Sequence, residues 1–381
     1  MTKNKNKLFI IGIIILFIIS LIISFIIALK NTKTDRTKSN DLKSTNSTEN
    51  ITKGGTYKLT GNNSCVNINT TEKVELELSD ATITCSNGPA INVEEAGELT
   101  ITITGENTIS ATTTEELDGA IYSKDDIVLS GDGSLSITSN YDGIVSKDSL
   151  TINSGTYTIK TDDDAIRGKD NVVITNGVFN ITANGDGIKA TNEDEKGYIN
   201  ISGGTFNIET SDDGINSTGD IKIDNGKFTI NSKGDGIHAD GLVEINNGQY
   251  SITSAEGIEG TYVKINGGDI NISASDDGIN ATNKSTDYDV IVEINGGNLT
   301  IKMGQGDTDA IDSNGNLYIN GGTINITAQS AFDYDKEAKY NGGTVTVNGE
   351  KITTITNQMM TGPGGMQQGN NFGGNRPSRM R

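Results

Sequence analysis

One phrase recurs along this chain, and its spacing constrains the fold more than any other property. The segment DGIVSKDSLTINSGTYTIKT at 142–161 realigns on DAIRGKDNVVITNGVFNITAN at 164–184, on DGIKATNEDEKGYINISGGTFNIET at 186–210 and on DGINSTGDIKIDNGKFTINSK at 213–233. Anchored on its isoleucine, the phrase returns at Ile121, Ile144, Ile166, Ile188, Ile215, Ile237, Ile258, Ile279 and Ile311, with Phe332 in the last slot. The usual step is 21 to 23 residues, and the longer steps into Ile215 and Ile311 carry polar insertions that can loop outward. A period of this size belongs to a solenoid, in which each repeat buries its apolar face only against its neighbours.

Each copy holds three short extended pieces: the D-G-I piece, an alternating piece such as Ile221/Ile223 or Val243/Ile245, and a piece after Asn-Gly such as Phe228/Ile230. All are too short for helices and are closed by Gly, Asn or Asp. The expected fold is therefore all-β: a single-stranded, right-handed parallel β-helix of three strands per coil of about 22 residues, coils stacked about 4.8 Å apart. No L-x-x-L-x-L phrase supports a leucine-rich alternative. The looser texture of 53–117 reads as N-terminal coils and 333–357 as the closing coil, which gives one domain over 53–357.

The flanks differ. Residues 8–29 are an unbroken apolar run, long enough as a helix to cross a bilayer core of roughly 30 Å. Lys3, Lys5 and Lys7 precede it and no A-x-A cleavage site follows, so residues 1–29 read as a signal-anchor, with one transmembrane helix and the C-terminal bulk outside the cell. Residues 30–52 read as a flexible polar linker, and 358–381, rich in Gly, Gln, Asn and Met, as a disordered tail. Cys65 and Cys85 lie 20 residues apart, close to one repeat, so stacked coils could place them side by side as a disulfide; the other reading is two inert thiols.

Charge narrows the partners. With 30 Lys+Arg against 50 Asp+Glu the formal charge is −20, which excludes nucleic acid and favours cations. Asp118, Asp142, Asp164, Asp186, Asp213, Asp235, Glu256, Asp277 and Asp309 share one slot and should form a column, thickened by Asp162, Asp163, Asp212, Asp276 and Asp307. Like charges that close need neutralising, and calcium, which takes six to eight oxygens in flexible geometry, suits them. The competing reading is turn capping, common for Asp before Gly. One His and two Cys supply zinc or copper poorly. A lyase would also need a base beside the metal, for which Arg167 and Lys169 are the candidates; a surface charge pair is the plainer account. The aromatic slot Tyr157, Phe179, Phe206, Phe228 and Tyr250 alternates with inward isoleucines and so reads as interior stacking, and the Asn-Gly pairs as turns.

The phrases DGAIYSKDDIVLSGDGSLSI, DGIVSKDSLTINSGTYTI, DDAIRGKDNVVI and DGIKATNEDEKGYINISGG resemble a bacterial family of extracellular carbohydrate-binding β-helix proteins over about 53–350. The resemblance implies a pectate-lyase-like, calcium-containing β-helix that binds cellulose and acidic sugars without established cleavage. It places calcium at Asp163, Asp164, Asp186, Asp212, Asp213, Asp235 and Asp277. The expected function is thus a non-catalytic, monomeric, single-pass cell-surface protein that binds acidic plant-type glycans such as polygalacturonate, and/or cellulose, with calcium. The alternatives are a calcium-dependent pectate-type lyase and a stiff surface spacer or adhesin. A chain this acidic repels polygalacturonate unless calcium bridges the two sets of carboxylates, and it has no Trp for a neutral glucan.

Overall fold

The computed structural model describes residues 40–42, 47–194, 197–306 and 308–357, and among them every regular element is a strand. The apolar segment 8–29 and the tail 358–381 lie outside the described residues, within which no helix is long and apolar enough to cross a membrane. Strands pair in parallel from coil to coil. In the first sheet Asp142–Ser146 lies beside Ile166–Gly168, then Ile188–Ala190, then Ile215–Ser217. In the second, Ser149–Ile152 lies beside Asn171–Ile174 and then Tyr198–Ile201. In the third, Thr156–Thr161 lies beside Val178–Ala183, Thr205–Thr210 and Lys227–Asn231.

The register puts like on like. Ile144, Ile166, Ile188 and Ile215 are Cα partners in sequence, and all are buried to zero exposure inside the tube. Alternation along each third-sheet strand sends Tyr157, Phe179, Phe206, Phe228 and Tyr250 inward. Their rings stack with centroids 4.6–5.1 Å apart and planes within 8°. This spacing is the strand spacing itself, so ring stacking and backbone pairing are satisfied by one repeat distance. Gly177 and Gly226 enter these strands at φ of 146° and 141°, and a Cβ there would meet the ring of Phe179 or Phe228 at under 3 Å. The preceding asparagines stay out of the left-handed region; Asn176 and Asn225 instead accept a hydrogen bond from the glycine N–H. Further along, Asn266, Asn295, Asn320 and Asn341 each donate to the asparagine one coil below at 2.7–3.0 Å, an amide ladder that ties side chain to side chain.

The stack starts earlier than residue 53. Asn40–Leu42 pairs with Gly55–Asn63, and Glu49–Ile51 with Val66–Asn69, so part of the expected linker 30–52 is coil. Polar residues can join here because backbone pairing is indifferent to side chains and one buried anchor, Ile51, seats the strand. Cys65 and Cys85 are disulfide-bonded across adjacent coils, Cα atoms 5.0 Å apart. At the far end Thr344–Val347 turns back as the antiparallel strand Glu350–Ile352. Asn348 and Gly349, with φ of 51° and 85°, make the two-residue turn that suits a hairpin. The returning strand covers the last open edge of the third sheet, which would otherwise be free to pair with another chain.

Candidate metal centre on the aspartate column

The D-G-I phrase builds its own column. A Cβ on Gly214 would sit 2.6 Å from the carbonyl of Gly236 and 2.5 Å from Ile230, and Gly187, Gly236, Gly257 and Gly278 are similarly pressed against the next coil. Lack of a side chain there lets consecutive coils close up, and the preceding aspartates come into register. Each carboxylate then accepts a hydrogen bond from the backbone N–H of the next one: Asp164 to Asp142, Asp186 to Asp164, Asp213 to Asp186, Asp235 to Asp213 and Asp309 to Asp277, at 2.6–3.0 Å. The capping role is therefore real, but it joins adjacent coils and uses one oxygen of each carboxylate.

A second row runs beside the column, from the residue after each isoleucine. Arg167 hydrogen-bonds Asp142 through Nε at 2.7 Å and reaches both Asp118 and Asp142 through Nη2. Lys189 lies 2.8 Å from Asp186 and 3.3 Å from Asp164. His238 contacts Asp235 at 2.8 Å and Glu259 at 2.9 Å, and Lys284 reaches Glu259 at 2.7 Å. Much of the column's charge is therefore met by side chains, a share that sequence reasoning had left to a metal. Arg167, one of the two candidate bases, serves as a counter-ion. Burial works against its charge, but Asp142 and Asp118 outweigh burial and hold its pKa above the usual arginine value, so it has no lone pair to accept a proton. Lys169 is exposed, at the turn after Ile166–Gly168.

Carboxylates still outnumber cations, and burial shows in their acidity. Burial pushes Asp142 up to about 7 in spite of Arg167, and does the same to Asp213 and Asp277. Glu256 and Asp312 are pushed to about 8, burial first and neighbouring carboxylates second. His238 keeps its charge: burial disfavours the cation, yet hydrogen bonds that the ring donates to Asp235, Asp240 and Glu259 lift its pKa to about 11, so the ring is a cation at neutral pH. Glu259, paired with His238 and Lys284, falls to about 2 against its burial.

Oxygen atoms gather at three places along this face. Asp142, Asp163 and Asp164 each bring a ligand atom within 4.8 Å of the others, as do Asp186, Asp212 and Asp213, and Asp235, Glu256 and Glu259; Asp213 and Asp235 also meet His238. The first two sets share a design: a tandem Asp-Asp in one coil faces the column Asp of the coil before, with two buried carboxylates and one exposed. An all-oxygen set spanning 4.8 Å fits a hard cation whose ligands lie about 2.3–2.6 Å away. Of the residues singled out from sequence, Asp163, Asp164, Asp186, Asp212, Asp213 and Asp235 fall in these sets. Asp277 does not, although Asp276-Asp277 repeats the tandem; its coil follows Glu256 and not an aspartate. Asp142, Glu256 and Glu259 complete sets that the sequence reading left incomplete, and the shared column slot was the available signal for the first two. Asp307 lies outside the described residues.

Raised carboxyl pKa values give a stability prediction. Asp277 and Asp312 keep their protons to about 7 and 8 in the folded chain, whereas an unfolded carboxylate loses its proton near 4. Their contribution is full below that lower value and is lost as pH rises through the upper ones. In excess chelator the melting temperature should therefore fall between pH 5 and pH 8.5, by roughly 2–4 °C for each kcal/mol withdrawn. A flat or rising profile in thermal denaturation would contradict this.

A family model described as carbohydrate-binding domain-containing protein matches residues 45–305 and 233–364. Among solved structures, the chain is similar to one titled polysaccharide lyase-like protein from C. thermocellum, gadolinium derivative, at 19% identity, covering 80% of this chain and 89% of that one, with a TM-score of 0.29. A superposition that loose carries no argument about function. No curated protein matches.

Proposed function

We propose, from the premise that the chain belongs to the family of carbohydrate-binding domain-containing proteins, that it is a non-catalytic cell-surface protein that captures acidic polysaccharide through calcium held on the aspartate column. The observation that carries this reading is the pair of sets Asp142/Asp163/Asp164 and Asp186/Asp212/Asp213, each with one exposed carboxylate beside two buried ones. Calcium, when bound, supplies positive charge on a face that otherwise repels polyanions. Asp142, Asp164, Asp186 and Asp213 would hold it from the wall of the tube, and Asp163 and Asp212 from the solvent side. A uronate carboxylate can then complete the coordination from outside, since calcium accepts more oxygens than either set provides. Residues 8–29 would anchor the chain and the β-helix would project from the membrane.

Retention on insoluble polygalacturonate tests the reading. Binding is expected in calcium and lost in chelator, and Asp163→Asn with Asp212→Asn should weaken it at least about tenfold without unfolding the protein, because both side chains are exposed. Equal retention with and without calcium would end the calcium mechanism. Calcium that raises the melting temperature while no polymer is retained would favour the spacer reading.

A further inference from the structure

The second sheet carries a cleft that the calcium reading does not use. It has a volume of about 470 Å³, within the ~300–1,000 Å³ range of ligand sites. Tyr198 and Tyr288 line it together with Ile221 and Leu242. Tyr198 is one of two large apolar side chains left exposed among the described residues, 39% accessible on a strand whose alternate positions, Ile199 and Ile201, are fully packed.

One wall comes from the insertion that lengthens the step between Ile279 and Ile311, and it is held in place at both ends. Lys284 is ion-paired with buried Glu259, and the backbone N–H groups of Lys284 and Ser285 donate to the hydroxyl of Thr261 at 3.0 and 2.9 Å. Tyr288 donates its hydroxyl to Asp220 at 2.7 Å, and its ring meets Tyr262 edge-on at 6.2 Å. The aromatic wall is thus positioned before any ligand arrives, which lowers the ordering that binding would demand.

We infer that this cleft is a second saccharide site, independent of calcium, that takes a neutral pyranose segment of a glycan chain. The chemistry matches a sugar ring: two tyrosines for its C–H face, with Asp220 and Glu244 to accept from hydroxyls and Asn200 and Lys222 to donate to them. Three carboxylates, Asp220, Glu244 and Asp287, against the one ammonium of Lys222 disfavour a uronate here, the reverse of the metal face. The inference rests on the carbohydrate-binding reading above and adds a place and a ligand class to it.

Isothermal titration with cellohexaose and mannohexaose in excess chelator tests the site. At least one of these should bind the wild-type protein, and Tyr198→Ala should weaken that binding roughly tenfold, the worth of one aromatic platform. Tyr288→Phe keeps the ring, frees it from Asp220 and should weaken binding less, and Asp163→Asn with Asp212→Asn should leave it unchanged. Binding that is insensitive to Tyr198→Ala overturns the site. Failure of both hexasaccharides, with polygalacturonate still retained in calcium, overturns the site and leaves the calcium reading standing; failure of all three removes both.

Discussion

Phe206→Ala is expected to destabilise the β-helix by about 3–5 kcal/mol, the range for deleting a buried phenyl group. Phe206 has no exposed surface and sits between Phe179 at 4.8 Å and Phe228 at 4.6 Å. Removing it empties one slot of a continuous column, and the flanking rings cannot close the gap because parallel pairing on both sides fixes their separation. A solenoid also transmits stability only between neighbouring repeats. The damage should therefore appear as an unfolding transition that broadens or splits as the two halves uncouple. Phe206→Leu should cost less, since most of the volume is kept. Chemical denaturation reads both, and a loss under about 1 kcal/mol, below the usual range for such a deletion, would mean that the ladder is ornament and not core.

Arg167→Met should cost about as much, and for an electrostatic reason. Asp142 is 1% exposed, accepts a hydrogen bond from Asp164 and leans on the guanidinium for its remaining charge. Breaking a buried pair by removing one partner leaves a stranded charge, at about 3–5 kcal/mol. The sign with pH is specific. Asp142 already holds its proton to about 7 beside Arg167, and without the arginine it holds it higher, so at pH 5 the variant carries a neutral carboxyl and most of the loss vanishes, while at pH 8, above the wild-type value, the loss is larger and still growing with pH. Adding Asp142→Asn should recover much of the stability at pH 8. Equal destabilisation at the two pH values, measured in chelator, would contradict a counter-ion role and reopen the question of what Arg167 does.

The aromatic column was legible because its period and its alternation agree: residues 22 to 27 apart in sequence, from Tyr157 to Phe228, with Ile159, Ile181 and Ile208 two places on, have one inward-facing solution. The tandem aspartates were legible for the same reason, and Asp163, Asp164, Asp212 and Asp213 duly meet their column neighbours. Asp277 shares the slot but falls in none of these sets: the coil before it carries Glu256, one methylene longer than the aspartate it replaces. Arg167 read as half of a surface charge pair, whereas the coil places it, like Lys189, one residue beyond the core isoleucine, over the carboxylates of its own and preceding coils.

What the linear order of residues determined by itself was the solenoid, its inward columns and the acidic stripe, since each follows from a local repeat that every coil obeys alike. What only the folded chain decided was which carboxylates meet side-chain cations and which gather in threes, and that the insertion before Val290 lies back over three coils to set Tyr288 against Asp220. The physical reason is range. A repeat specifies contacts one coil away, whereas a charge network and a folded-back loop join residues as far apart as 49 and 68 positions, at distances no period contains.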